Sequence, residues 1–182
     1  MEKSHKNTAS PSTTIESSPA TFPIVGIGCS AGGLEALESF LSHVPANCGM
    51  AFVVVQHLTP DQPSALPELL RRMTWMAVIE AGEGMQTKPN CVYVIPPGKD
   101  MSLLHGTFHL LEPVEARGLR LPIDFFLRTL ADDQHGKAIG VILSGMGSDG
   151  VLGLRAIKEK AGLVVVQEPA SASSDNMPRS AI

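Results

Sequence analysis

The chain has 182 residues, of which 43% are hydrophobic, and a net charge of −4 at pH 7. This is enough for one domain with a buried core and too little for two. The acidic balance and an aromatic content of 4% argue against nucleic-acid binding, which needs a basic field and stacking platforms.

The apolar stretches and the cysteines exclude further classes. The longest apolar stretches, such as MAFVVV at 50–55, are far shorter than the roughly 20 residues that cross a bilayer. The polar N-terminus lacks a signal-peptide core, so we expect a cytoplasmic protein without membrane insertion. The three cysteines are Cys29, Cys48 and Cys91, and they lack metal-ligand spacing. The sequence thus predicts no metal site and no disulfide framework.

Residues 1–22 are rich in Ser, Thr and Pro, which predicts a disordered tail or linker. From Pro23 onward, β-branched runs alternate with stretches of helical periodicity. The predicted strands lie at 23–28, 51–57, 76–81, 91–95, 138–145 and 163–168, with a hairpin over 101–112 and helices at 34–44, 66–73, 122–134 and 149–162. This alternation predicts one α/β domain over 23–182: a doubly wound, mainly parallel, Rossmann-like sheet with helices on both faces and a small antiparallel hairpin.

The stretch IVGIGCSAGG at 24–33 matches two known sequence motifs. Residues 26–31 match the dinucleotide fingerprint, in which glycines let the backbone approach a pyrophosphate. That mechanism needs an acidic residue near the end of the second strand, where this chain has Gln56-His57. Residues 28–32 also match G-x-S-x-G, which exposes a serine on a tight turn. Either pattern alone is weak.

Three reactive side chains follow strand-like runs: Ser30, His57 and Asp149. Ligands of open α/β sheets bind beyond the carboxyl ends of the strands, so these residues are candidates for one site. A serine nucleophile needs a base, and the base needs a carboxylate to fix its tautomer. The chain order Ser, His, Asp differs from that of the α/β-hydrolases, which disfavours that fold.

Simpler interpretations of these residues stay open at this point. Ser30 precedes a helix and fits an N-cap, and Asp149 fits the N-cap of the helix that follows it. His57 also fits a histidine satisfied at a strand end. For Cys29, a buried thiol is a better interpretation than a nucleophile.

Six blocks of the chain occur together: GIGCSAGG, VVVQHLTP, YVIPPGKDM, LPIDFFLRTLA, GVILSGMGSDG and VVVQEPASASSDNMPRSAI. In these blocks the chain resembles, from about Phe22 to Ile182, the catalytic domain of the CheB-type protein-glutamate methylesterases of chemotaxis. The resemblance implies a cofactor-independent hydrolase that removes methyl groups from glutamate γ-methyl esters on chemoreceptor cytoplasmic helices and deamidates particular glutamines. It implies Ser30 as nucleophile, His57 as base and Asp149 as orienting acid, with the backbone N–H of Met146 stabilising the oxyanion.

The resemblance also places Met177 and Pro178 close to the substrate cleft. Ala31, next to the nucleophile, stands where the family often has a hydroxyl residue. Relatives usually continue beyond the position of Ile182, so we expect the domain to be cut short there and to belong to a longer polypeptide, such as a fusion with the matching methyltransferase. Two alternatives stay open: an inactive receptor-binding scaffold and a dinucleotide-binding module.

Overall fold

The computed structural model describes residues 20–57, 65–114 and 120–182. Its strands are β1 (Ile24–Cys29), β2 (Ala51–Gln56), β3 (Ala77–Glu80), β4 (Cys91–Val94), β5 (Asp100–Leu104), β6 (Thr107–Leu111), β7 (Ala138–Ile142) and β8 (Leu163–Val166). Its helices are α1 (Gly33–Leu41), α2 (Leu66–Leu70), α3 (Pro122–Gln134), α4 (Val151–Glu159) and α5 (Asn176–Ala181), with short 3₁₀ turns at His135–Lys137 and Pro169–Ser171.

Six parallel strands form the central sheet in the order β3-β4-β2-β1-β7-β8, and β5 and β6 form a separate antiparallel hairpin. This confirms the predicted fold class. The chain leaves β1 toward β2 on one side and later returns to add β7 on the other. The carboxyl ends of β1 and β7 therefore flank a topological switch point, where open α/β sheets bind their ligands.

The strands contribute side chains to two cores because successive residues point to opposite faces. On one face, Val25, Ile27 and Cys29 pack with Leu37 and Leu41 of α1. The other core contains the inward residues of α3, α4 and the hairpin, together with Met177 of α5. The sheet is thus covered on both faces, as its near-continuous apolar strands require.

Helix α3 approaches β1 closely because two strand residues lack a side chain. A Cβ on Gly26 would lie 2.6 Å from Cδ2 of Leu127, and one on Gly28 would lie 2.4 Å from Cγ2 of Ile123. The start of α3 therefore lies over the end of β1, at the same edge of the sheet as Ser30.

Some boundaries differ from the sequence-based expectations. Helix α4 starts at Val151 rather than at Asp149, after Gly150, whose φ of +102° is left-handed. Helix α5 was not predicted, and its short sequence NMPRSA has little helical periodicity. Of the predicted tail, residues 1–19 lie outside the described part of the chain, whereas Ala20 and Phe22 pack against the core on the α3 face.

Candidate active site

Strand register brings Ser30 and His57 side by side. Cys29, the last residue of β1, is the partner of Gln56, the last residue of β2. Ser30 and His57 are the next residues on these strands, whose backbones lie about 4.8 Å apart in a sheet. The alternation that turns Gly26 and Gly28 toward α3 continues to Ser30, which places this serine on the α3 face of the rim.

His57 pairs with a buried carboxylate. Its Nε2 lies 3.0 Å from Oδ2 of Asp149, whose side chain is 2% exposed, whereas the imidazole is 37% exposed. A carboxylate only accepts, so it holds the ring proton on Nε2 and leaves Nδ1 of the neutral ring as a proton acceptor. A buried carboxylate therefore fixes the tautomer of His57, while the partly exposed ring is accessible to solvent.

The Asp149 carboxylate also binds the start of α3. Its Oδ2 accepts the Ile123 N–H at 3.0 Å, and its Oδ1 accepts the Asp124 N–H at 2.8 Å. The residue at the N-cap position of α3, Leu121, makes no side-chain cap bond. Asp149 therefore caps α3, and its interpretation as the N-cap of the following helix is wrong.

Ser30 does not cap α1 either. That helix has Gly32 as its N-cap, with φ +69° and no side-chain cap bond. Within the described part of the chain, Oγ of Ser30 makes no hydrogen bond, and the conformation lacks a Ser30–His57 bond. Catalytic hydrogen bonds are often long or absent in ligand-free enzymes. The hydroxyl is thus available, whereas the Ser30 N–H is already bound, to the carbonyl of Ser144 at 3.0 Å.

Ser144, which the sequence analysis missed, joins three segments of the rim. Its Oγ donates to the carbonyl of Ala31 at 2.8 Å and accepts the Ser174 N–H at 2.9 Å. Its own N–H donates to Oε1 of Gln167 at 2.8 Å. Ser144 lies in the block GVILSGMGSDG and Gln167 in the block VVVQEPASASSDNMPRSAI. Their place in blocks shared with the family was the sequence signal that could have identified them. Ser144 and Gln167 stabilise the turn that carries Ser30.

The unpaired backbone N–H groups in the described part of the rim include one on each of the loops that follow β1 and β7. In the described segments, those of Ala31 and Met146 make no hydrogen bond. Met146 is 63% exposed and lies on the loop between β7 and Asp149. Such free amides beside a nucleophile are the donors that an oxyanion requires.

Met177 and Pro178 are buried beneath this loop. The Met177 N–H donates to the carbonyl of Gly145 at 3.0 Å. A Cβ on Gly145 would lie 2.0 Å from Sδ of Met177 and 3.1 Å from Cβ of Ser30. Met177 is therefore close to the nucleophile candidate, separated from it by the backbone of Gly145.

Burial affects two nearby titratable groups. Desolvation raises the pKa of Cys29 to about 12, so the thiol stays neutral and is a poor nucleophile. Desolvation is also the main reason why the pKa of Asp124 lies above its ordinary value. In the part of the chain that is described, no three His, Cys, Asp or Glu side chains are grouped so that they could hold a metal ion.

The dinucleotide interpretation disagrees with the backbone. Gly26 and Gly28 lie within β1 and serve helix packing, as described above, rather than forming a loop around a phosphate. At the end of β2, Gln56 and His57 stand where the ribose acid would be.

A three-layer α/β sheet with a serine and a histidine–aspartate pair at its switch point defines a class of hydrolase-like α/β proteins. A family model described as CheB methylesterase matches residues 25–182. The chain therefore belongs to the CheB methylesterase family.

Relatives of known structure or curated name agree with this assignment. The Thermotoga maritima CheB methylesterase catalytic domain superposes with a TM-score of 0.82 and 32% identity, over 89% of this chain and 88% of that one. A putative protein-glutamate methylesterase/protein-glutamine glutaminase of Leptospira interrogans is 36% identical, over 88% of this chain and 84% of its own length. Protein-glutamate methylesterase/protein-glutamine glutaminase 1 of Geobacter sulfurreducens is 35% identical, and the match spans 88% of this chain but only 46% of that protein. The chain thus spans about half the length of some curated relatives. None of the helices in the described segments has the length and apolarity to cross a membrane.

Proposed function

We propose that this protein is a serine hydrolase that cleaves glutamate γ-methyl esters on the cytoplasmic helices of chemoreceptors and deamidates particular glutamines there. Family membership and the names of the relatives support the reaction class. The observation that carries the proposal is the His57–Asp149 pair beside Ser30. A cytoplasmic location and a fused or partner methyltransferase module belong to the same proposal.

The first step is attack by Ser30. Its Oγ forms a bond to the γ-carbonyl carbon while Nδ1 of His57 takes the hydroxyl proton, and the carbonyl π pair moves onto oxygen. The resulting imidazolium keeps its Nε2–H on Asp149, whose charge stabilises it without taking the proton. Because the two residues stand on neighbouring strand ends, a side-chain rotation brings Oγ and Nδ1 into contact.

The oxyanion is held by the N–H groups of Met146 and Ala31, which are unpaired in the described segments. The Ser30 N–H is unavailable because it donates to Ser144. These donors lie on the two loops that Ser144 ties together, so they are fixed before the substrate arrives and cost no reorganisation.

The intermediate then collapses and releases methanol, protonated by His57, or ammonia when the substrate is a glutamine. A water molecule, deprotonated by the same histidine, attacks the acyl-enzyme and leaves glutamate and free Ser30. The cycle consumes only water, and every proton taken by His57 is returned.

Methanol release from a methylated receptor fragment, with ammonia release from its glutamine form measured in parallel, tests the proposal. A fluorophosphonate probe followed by peptide mass spectrometry reports activation of Ser30 independently of substrate choice. Labelling of Ser30 with methanol release supports the proposal. The absence of both signals would favour the inactive receptor-binding scaffold.

A further inference from the structure

Two buried carboxylates link the starts of α3 and α4 reciprocally. Asp149, which precedes α4, accepts the Asp124 N–H in the first turn of α3 at 2.8 Å. In the other direction, Oδ1 of Asp124 accepts the Gly153 N–H of α4 at 2.7 Å. Both residues are almost fully buried, at 5% exposure for Asp124 and 3% for Asp149.

The Asp124 carboxylate binds the first turn of α4 through the Gly153 N–H. The N–H groups of Gly150 and Leu152 face the same carboxylate and stabilise its charged form. The Gly150 N–H belongs to the peptide that joins Asp149 to Gly150. Gly150, the N-cap residue of α4, has a φ of +102° and no side-chain cap bond, so Asp124 supplies the acceptor for the Gly153 N–H in the first turn of α4.

The two helices are close enough for this link to be stiff. A Cβ on Gly153 would lie 2.5 Å from Cβ of Leu127 and 3.3 Å from Cα of Asp124. Buried hydrogen bonds in a low-dielectric site are strong and allow little alternative geometry. The direction of the Asp149 side chain is thus fixed by its own bonds to α3 and by the bond from Asp124 to α4.

We infer that Asp124 is a positioning residue for the reaction, which aims the Asp149 carboxylate at Nε2 of His57 by holding the first turn of α4 through the Gly153 N–H. The inference rests on the proposed function for its effect on rate. Without this contact, Asp149 keeps its helix-cap bonds only by following a displaced loop, and the histidine loses its fixed tautomer. A misplacement of about 1 Å far from the reacting atoms can cost on the order of 10²-fold in rate.

The test compares Asp124→Ala and Asp124→Asn with the control Asp133→Ala. Asp133 lies on the same helix and also accepts backbone N–H groups, those of His105 and Gly106, but in the hairpin away from the rim. The measurements are thermal unfolding, kcat and KM for methyl-ester cleavage, and the ¹H–¹⁵N spectrum of the His57 ring.

The Asp124→Ala variant is expected to lower kcat on the order of 10²-fold with little change in KM, and to mix the His57 tautomers. The Asp124→Asn variant keeps one acceptor oxygen and recovers part of kcat. The control is expected to lower Tm while kcat and the ring spectrum stay unchanged.

A folded Asp124→Ala protein with normal kcat and a normal ring spectrum would overturn the inference, as would an equal loss of kcat in the control. If Asp124→Ala does not fold, Asp124→Asn decides: a several-fold lower kcat with shifted ring signals supports the inference, and wild-type behaviour in both overturns it. The ring spectrum needs no substrate. A wild-type protein without esterase activity would therefore reject the proposed function while the spectrum still tests the role of Asp124.

Discussion

Nε2 of His57 and Oδ2 of Asp149 are 3.0 Å apart, at the rim of a parallel sheet where Ser30 occupies the next strand end. The contact uses one ring nitrogen and leaves Nδ1 of the neutral ring as a proton acceptor. The same carboxylate caps α3, so the orientation of the histidine and the stability of the helix depend on one side chain.

Replacement of Asp149 by Asn should therefore have two effects. We expect kcat to fall on the order of 10⁴-fold, because the amide no longer fixes the Nε2–H tautomer. We also expect a loss of about 1 kcal/mol or more in unfolding free energy, because the α3 N–H groups lose a charged acceptor. Steady-state kinetics and thermal unfolding measure the two. The matched control is Asp132→Asn, whose exposed carboxylate pairs with Lys160; an Asp149→Asn enzyme with normal turnover would reduce this residue to a helix cap.

Replacement of Ser30 by Ala should lower kcat by several orders of magnitude, as loss of a triad nucleophile does in serine hydrolases. Stability should hardly change, because Oγ makes no hydrogen bond in the described segments. Methanol release and fluorophosphonate labelling are the measurements. Ser42→Ala, an exposed serine at the far end of α1, is the control. Retention of most activity by the Ser30 variant would move the chemistry to another residue.

Strand order and register explain how much of this was predictable. Apolar alternation predicted the strands, the hairpin and the fold class, and residue types at strand ends predicted Ser30, His57 and Asp149 as candidates. The pairing of β7 with β1 was not predictable from local pattern, because it joins segments separated by over a hundred residues.

The caps were not predictable for the same reason. N-cap rules read the residue adjacent to a helix, whereas Asp149 caps α3 and Asp124 binds the start of α4 from elsewhere in the chain. The glycines of the dinucleotide fingerprint were misleading. Gly26 and Gly28 allow α3 to pack closely on β1, and the sequence alone does not show where α3 packs.

The Gly28→Ala substitution should destabilise the fold by about 1–3 kcal/mol, the usual cost of overpacking a filled core. Its Cβ would meet Cγ2 of Ile123 at 2.4 Å and Cδ1 of Ile142 at 2.8 Å. Gly82→Ala is the control, because there the nearest atom is Cε of Met85 at an ordinary 3.5 Å. Denaturant unfolding measures the stability of both variants.

A titration of the wild type with NAD is expected to show no binding. Saturable NAD binding that Gly28→Ala abolishes would restore the dinucleotide interpretation.

Cys29 should resist thiol reagents in the folded protein. Burial raises the pKa of its thiol from 9.0 to about 12, so almost no thiolate forms at pH 8. The half-buried Cys48 and Cys91 serve as internal references. Peptide mass spectrometry after brief alkylation should show Cys29 unmodified until denaturant is added, and rapid native labelling would contradict its assignment as a core residue.

The same pKa predicts a loss of stability at high pH. The folded state holds the Cys29 proton more tightly than the unfolded state, so its contribution is complete below pH 9 and declines as pH rises toward about 12. A Cys29→Ala variant should show a weaker decline over this window. Equal pH slopes for both proteins would show that the thiol does not titrate differently in the two states.

The position of β7 has a consequence for how the candidate site assembles during folding. Ser30 and His57 become neighbours as soon as β1 pairs with β2. This pairing is local, because only α1 separates the two strands in the chain. Asp149 joins them only when β7, more than eighty residues later in the chain, docks on the other edge of β1. Non-local pairing of this kind forms slowly. The proposed mechanism therefore predicts that a refolding chain stays unreactive until β7 has docked, so the onset of Ser30 labelling would time that docking event.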